Sequence, residues 1–321
     1  MFAPPRDQEI VGAARRLAVG PASKCTHIAC MVSNFFASLW HRAQYIPLWS
    51  ALSATRLRSL DHRARLFGGM VGLAMRWFPP ARWRFDREVQ RVFPDMPRGQ
   101  RAALRREMGR NMGRTLFEIL RSAEFQSRPD RFHVSGPGLA ALEEARAAGT
   151  GAIIVSGHFG QWDAVRAVLK ARGMETGAVY RKQKNRFYQR GFLAGIEESG
   201  RPVIATGRSG TMELVRHLRR GGFLAIMLDE KITEGESVPF LGLPALTSTA
   251  PAALALKYDL PLVPAYGTRR PDGAEFDVEF EAPIPHSDAL TMTKAINDSL
   301  SARVLENPGQ WYWLLRRWDG A

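Results

Sequence analysis

Cysteine is nearly absent: the 321 residues hold two, Cys25 and Cys30. That is too few for a disulfide framework, and their separation is not that of a C-x-x-C site, so no structural metal is expected and a reducing compartment suits the chain. Long apolar runs are also missing. About 20 predominantly apolar residues are needed to cross a bilayer, whereas the tract from His27 to Trp49 is repeatedly interrupted and Leu66 to Phe78 contains Arg76. Gly207-Arg208-Ser209-Gly210 lacks the G-x-x-x-x-G-K-(S/T) spacing of a phosphate loop, and Ser209 is not framed as G-x-S-x-G. Both absences argue against nucleotide hydrolysis and an α/β-hydrolase. With no zinc-finger spacing, RNP-type strand or evident helix-turn-helix, no nucleic-acid partner is expected.

Acidic residues are scarce at one end only. Up to Arg121 there are 21 basic and 8 acidic side chains, against 24 and 23 in the remainder, so nearly all of the net charge of +14 sits in the first part of the chain. Such an end suits an anionic phospholipid surface, a nucleic acid or an acidic protein. Residues 1–22, with prolines at 4, 5 and 21 and no continuous apolar core, are expected to be a mobile leader rather than a signal peptide. Residues 27–80 admit two readings. They are helices on the membrane surface, with arginines 56, 58, 63, 65, 76, 82 and 84 meeting head groups, or a helical subdomain packed on a core. Helices are then expected over Arg82 to Phe93 and Arg98 to Leu120, split by Pro94-Asp95-Met96-Pro97. Met108, Met112, Leu116 and Ile119 form an apolar stripe on the second, expected to face a core.

Beyond residue 125, short β-branched runs alternate with helical periodicity. Strands are expected in RFHVSG, Ala152 to Val155, Ala178 to Tyr180, Pro202 to Ala205, Phe223 to Leu228, Leu262 to Tyr266 and, alternating like a sheet edge, Phe276 to Phe280. Helices are expected at Leu139 to Ala148, Gln161 to Lys170, Met212 to Arg220 and Thr291 to Glu306, and Thr247-Ser248-Thr249 can cap another. This alternation predicts an α/β fold with a mixed, mainly parallel sheet covered by helices on both faces. The expected division is a basic helical membrane-associating region, 1–125, and an α/β domain, 126–321.

The chain is organised around Gly149 to Val168. A buried strand there delivers Ser156-Gly157-His158-Phe159-Gly160 to its carboxyl end, where open α/β sheets bind ligands. On one continuous helix His158 and Asp163 would diverge by roughly 140°. If Gly157 and Gly160 turn the chain before the helix starts, Asp163 can reach back to the imidazole as a histidine-carboxylate dyad. The alternative is a strand-end histidine and a helix-start aspartate facing the helix dipole.

SGHFGQWD, VYRKQKN, MLDEK, SVPFLGLPALTSTAPAALA and NPGQWYWLLRRW occur in that order, and from about Trp83 to Trp318 the chain resembles the lipid A late acyltransferase family. That family lies within a wider group of acyltransferases sharing H-x-x-x-x-(D/E). The resemblance implies transfer of an acyl chain from acyl-carrier protein, or acyl-CoA, to a lipid A precursor hydroxyl at the cytoplasmic face of the bacterial inner membrane. Attachment there would be peripheral or monotopic. His158 would be the general base and Asp163 its orienting partner, with no metal or organic cofactor. Tyr180, Arg181 and Asn185 match a Y-R-P-x-x-N pattern in which Lys182 replaces proline, and Arg181 is the candidate acceptor-phosphate contact. Arg181 and the Gly157 to Gly160 amides are candidate oxyanion donors. Asp229, at a strand end, matches a family aspartate usually followed by glutamine, where Glu230 departs, and could approach His158. Leu315 stands where histidine is common, so the aromatic tail is expected to pack, or to meet the membrane, without a catalytic role. A lysophospholipid, a mannosylated phosphoinositide or an ornithine lipid would suit the same dyad, and an inactive basic membrane scaffold is the rival from another class.

Overall fold

The computed structural model describes residues 57–182 and 185–319. The leader, the 27–49 tract, both cysteines, Arg56, and Gln183 and Lys184 of the basic loop lie outside the described residues. Among the described residues, four helices come first: α1 (Leu60–Trp77), α2 (Pro79–Val92), α3 (Arg98–Leu120) and the short α4 (Ser122–Gln126). Ser59 caps α1 by accepting from His62 N, and Pro94 and Pro97 flank the break between α2 and α3.

The alternation expected beyond residue 125 is present. It runs β1 (Phe132–Ser135), α5 (Gly138–Ala148), β2 (Ala152–Ser156), α6 (Asp163–Ala171), β3 (Thr176–Tyr180), α7 (Arg186–Glu198), β4 (Val203–Ala205), α8 (Arg208–Arg219) and β5 (Phe223–Met227). It continues with β6 (Glu236–Phe240), β7 (Leu243–Thr247), α9 (Ala250–Tyr258), β8 (Leu262–Arg269), β9 (Phe276–Phe280) and α10 (Ala289–Glu306). Seven strands form one sheet in the order β1-β9-β8-β2-β5-β3-β4. Every neighbouring pair is parallel except β8 with β9, so the sheet is mixed and mainly parallel.

Two expectations need correction. Phe276–Phe280 alternates in burial but is not an edge, because β1 pairs outside it. The stretch from Val238, where the residues pointed only to a helix capped by Thr247-Ser248-Thr249, holds an antiparallel hairpin, β6 with β7, before α9. Its prolines, Pro239 and Pro244, face each other in the register of this two-stranded ribbon, where a missing N–H can be accommodated. Helix α7 had no sequence assignment. β2 is buried along its whole length and lies between β8 and β5 at the centre of the sheet, so its carboxyl end is held by neighbours on both sides.

The amino-terminal helices belong to the same unit as the sheet, which comprises Trp49–Ala321. α1 and α3 cross closely because each offers two glycines one turn apart. A Cβ on Gly109 would lie 2.9 Å from the Cα of Gly72, and one on Gly113 would lie 2.9 Å from both the Cα of Gly68 and the Cβ of Val71. Arg63, expected at lipid head groups, is instead buried and paired with Glu124. Gly113→Leu is expected to cost about 1–3 kcal/mol by overpacking this crossing, read as a lower midpoint in denaturant unfolding with little change in slope.

Candidate active site

His158 lies two residues beyond β2, and Asp229 two residues beyond β5, the strand paired with it. Parallel neighbours end on the same side of the sheet, so the two side chains meet although 71 residues separate them. The imidazole Nδ1–H donates to Asp229 Oδ1 at 2.9 Å, and the His158 backbone N–H donates to Oδ2 at 2.7 Å. The indole Nε1–H of Trp311 donates to the same Oδ2 at 2.8 Å. Asp229 is buried, whereas the His158 side chain retains 20% exposure. The ring is therefore fixed through one nitrogen, and its other nitrogen, Nε2, lies 3.9 Å from Glu230 Oε1.

Burial pushes the imidazole toward its neutral form, but the charge of Asp229, its hydrogen bond and the charge of Glu230 outweigh this and hold the pKa above the ordinary 6.5. For Asp229 the balance reverses. Burial raises its pKa, and the imidazole with the Trp311 and backbone donors brings it below the ordinary carboxylate range. An ionised aspartate thus holds Nδ1 protonated, and Nε2 is free to take a proton whenever the ring is neutral.

His158, Arg181 and Glu230 line a cavity of about 410 Å³, within the size range of small-molecule sites. Its apolar wall includes Met112, Leu116, Phe192, Ile196, Ile226 and Leu315. The stripe on α3 is therefore divided: Met108 and Ile119 are buried in the protein, while Met112 and Leu116 face the cavity. Trp162 meets the His158 ring edge-on at 5.2 Å.

The carboxylate expected from Asp163 comes instead from Asp229. Asp163 does open a helix, but its carboxylate accepts from Arg166 at 3.0 Å and from the hydroxyl of Ser199. The i,i+3 spacing lays Arg166 over Asp163 on one face of α6, and Arg166 also donates to the carbonyls of Thr176, Ile196 and Gly200. Asp163 is thus the anchor of a buried arginine joining α6, β3 and the end of α7.

Three of the loop amides are committed too. Those of His158, Phe159 and Gly160 donate to Asp229, to the Gly157 carbonyl and to the Gln310 carbonyl, so these expected oxyanion donors are already engaged. Gly160 has φ +56°, and a Cβ there would lie 2.1 Å from the Gly267 carbonyl oxygen. A Cβ at Gly157 would meet Leu300 at 2.6 Å and Asp229 at 3.0 Å, so both glycines give the backbone room. α3 supports this turn: Thr115 donates to the Gly160 carbonyl at 2.9 Å, and Glu118 binds Gln161 and Arg269. Arg181, expected at a substrate phosphate, lies 3.1 Å from Glu230, and Asn185 is half-buried ahead of α7, accepting from Gln189 N.

The aromatic tail is not outside the site. Trp311 pairs with Phe159 in a short antiparallel bridge, Tyr312 N donates to the His158 carbonyl, and Tyr312 and Leu315 line the cavity. Nothing in the tail's composition distinguishes a tryptophan that packs from one that also donates to a buried carboxylate.

A family profile for bacterial lipid A biosynthesis acyltransferases matches residues 40–319. The chain belongs to this family. Among relatives of this acyltransferase-family chain, a phosphatidylinositol mannoside acyltransferase of Mycobacterium tuberculosis (strain CDC 1551 / Oshkosh) is 29% identical over 186 residues. That alignment covers 56% of this chain and 58% of the relative, so the chain spans little more than half of the mycobacterial protein's length. A lipid A biosynthesis acyltransferase of Haemophilus influenzae (strain ATCC 51907 / DSM 11121 / KW20 / Rd) is 24% identical over 247 residues, covering 73% of this chain and 74% of the relative.

The two aspartates separate experimentally. In a ring-proton NMR titration, His158 is expected to titrate above 6.5, and Asp229→Asn should move its midpoint to lower pH by removing the main charge that favours the imidazolium. Asp163→Asn should leave that midpoint in place and cost about 3–5 kcal/mol of stability, because it strands a buried Arg166.

Proposed function

We propose that the chain transfers a fatty acyl group from a thioester, acyl-carrier protein or acyl-CoA, to a hydroxyl of a membrane glycolipid. The observation that carries this is His158 at the wall of an apolar cavity, with Nδ1 held by Asp229 and Nε2 available as a base. The acceptor hydroxyl gives its proton to Nε2 while its oxygen attacks the thioester carbonyl. Asp229 stays ionised and stabilises the imidazolium. The tetrahedral intermediate then collapses, the C–S bond breaks, and the departing thiolate takes the proton from Nε2. Arg181, on the same cavity wall, is the cation best placed to meet the developing oxyanion or an acceptor phosphate. Direct attack needs no acyl-enzyme.

Among acceptors, a lipid A precursor follows from the family. A mannosylated phosphoinositide is the second reading, favoured by the identity to the mycobacterial relative.

The acceptor cannot leave its bilayer, so the protein must go to it, at the cytoplasmic face of the inner membrane. Among the described residues no helix is long and apolar enough to cross a membrane. α1 supports attachment from one side: Leu66, Met70, Leu73 and Trp77, spaced by four, three and four residues, form an exposed stripe that continues into exposed Phe78 and Trp83. Beside the stripe, Arg65, Arg76, Arg106 and Arg110 are exposed. Apolar side chains in the acyl boundary and guanidinium groups at the phosphates suit an anionic bilayer.

Mass spectrometry of a lipid A precursor and a phosphatidylinositol mannoside, each incubated with acyl-carrier-protein and acyl-CoA donors, tests the activity. One added acyl chain with wild type, and a rate lower by about 10²–10⁴ with His158→Ala, is expected; no addition to either acceptor would refute it. Leu73→Asp with Trp77→Ser should reduce cosedimentation with vesicles containing phosphatidylglycerol, and unchanged binding would place attachment elsewhere.

A further inference from the structure

Two acceptors stand side by side at the reacting centre. Nε2 of His158 lies 3.9 Å from Oε1 of Glu230, and Oε2 of Glu230 lies 3.1 Å from the Arg181 guanidinium. All three side chains line the cavity, and that of Glu230 keeps 38% exposure. Nδ1 is committed to Asp229, so Nε2 can only accept from an incoming hydroxyl. A carboxylate can also only accept. Arg181 meets the Glu230 oxygen farther from the ring.

A hydroxyl hydrogen-bonded to Nε2 at about 2.6–3.2 Å therefore brings its molecule against Oε1 of Glu230. What neighbours that hydroxyl matters. A carbonyl or ether oxygen would set lone pairs against the carboxylate, and a bare methylene would displace water from it without replacing a donor. A second hydroxyl would donate.

We propose that Glu230 is a specificity-determining residue that accepts a hydrogen bond from a second hydroxyl of the acceptor, one or two carbons from the hydroxyl that is acylated. The acceptor class is then a sugar or cyclitol head group rather than an isolated chain hydroxyl. This rests on the acyl-transfer reading above. Only the attacking hydroxyl loses its proton, to Nε2; the second keeps its own and serves for recognition. Arg181 pairs with the other oxygen of Glu230, Oε2.

The test uses the full chain, an acyl-CoA donor and three acceptors. These are a phosphatidylinositol mannoside, its monodeoxy analogues around the acylated position, and a hydroxyacyl lipid with one isolated hydroxyl. Wild type should favour the parent mannoside over the analogue lacking the neighbouring hydroxyl by about 10- to 100-fold in kcat/KM. Glu230→Ala should collapse that ratio toward unity, and Glu230→Asp should keep part of it. Equal loss on parent and deoxy acceptors in Glu230→Ala would indicate a structural role and overturn the proposal. So would wild type favouring the isolated hydroxyl, or showing no preference across the deoxy series, a comparison that needs no variant. Transfer to none of these acceptors, nor to a lipid A precursor with either donor, would instead remove the acyl-transfer reading, and this proposal with it.

Discussion

The buried carboxylate of Asp229 is the constraint on which the site depends. Taking an ionised carboxylate out of water costs several kcal/mol unless donors replace the lost hydration. Here three do: the imidazole, the His158 backbone amide and the Trp311 indole. Those donors come from two places, the end of β2 and the carboxyl-terminal tail, while the carboxylate follows β5. One charge thus draws together three distant segments and fixes the tautomer of the ring that would carry the chemistry.

A second tier of buried charge holds this arrangement in place. Arg166, anchored by Asp163, ties α6 to β3 and to the end of α7, which contributes Phe192 and Ile196 to the cavity. Arg269, paired bidentately with Glu118, ties α3 to β8, and Thr115 on α3 holds the turn after His158 through the Gly160 carbonyl. The basic amino-terminal helices therefore do more than carry charge. One forms part of the cavity and of the turn beneath the histidine; another bears the apolar stripe suited to a bilayer.

The two aspartates show how environment assigns roles to identical side chains. Asp163 sits three residues before an arginine on its own helix, and the nearer partner takes it. Asp229 follows a strand paired with the one that delivers His158, and parallel pairing brings their ends together. Spacing along the chain favoured Asp163 because a five-residue separation can be read from a sequence, whereas over a separation of 71 residues the position of Asp229 at a strand end suggested only that it could approach His158, as it does. The glycines around His158 were legible as a turn, but not their amides' partners, which lie in the tail and at Asp229.

The features legible in the residues alone are those that short-range physics controls. Buried β-branched runs, helical periodicity and proline breaks placed most strands and helices, and the ordered motif blocks placed the chain among acyltransferases with His158 at a strand end. The hairpin of β6 and β7 escaped because its prolines suit only a two-stranded ribbon, and α7 because its periodicity had no independent landmark. Tertiary structure alone decided the partner of the imidazole, the employment of the loop amides, the entry of Trp311 into the site and the placing of Glu230 beside Nε2. Each is a contact between segments far apart in the chain, set by strand order and by the need of buried charges to find donors, and neither quantity is written in any one window of residues.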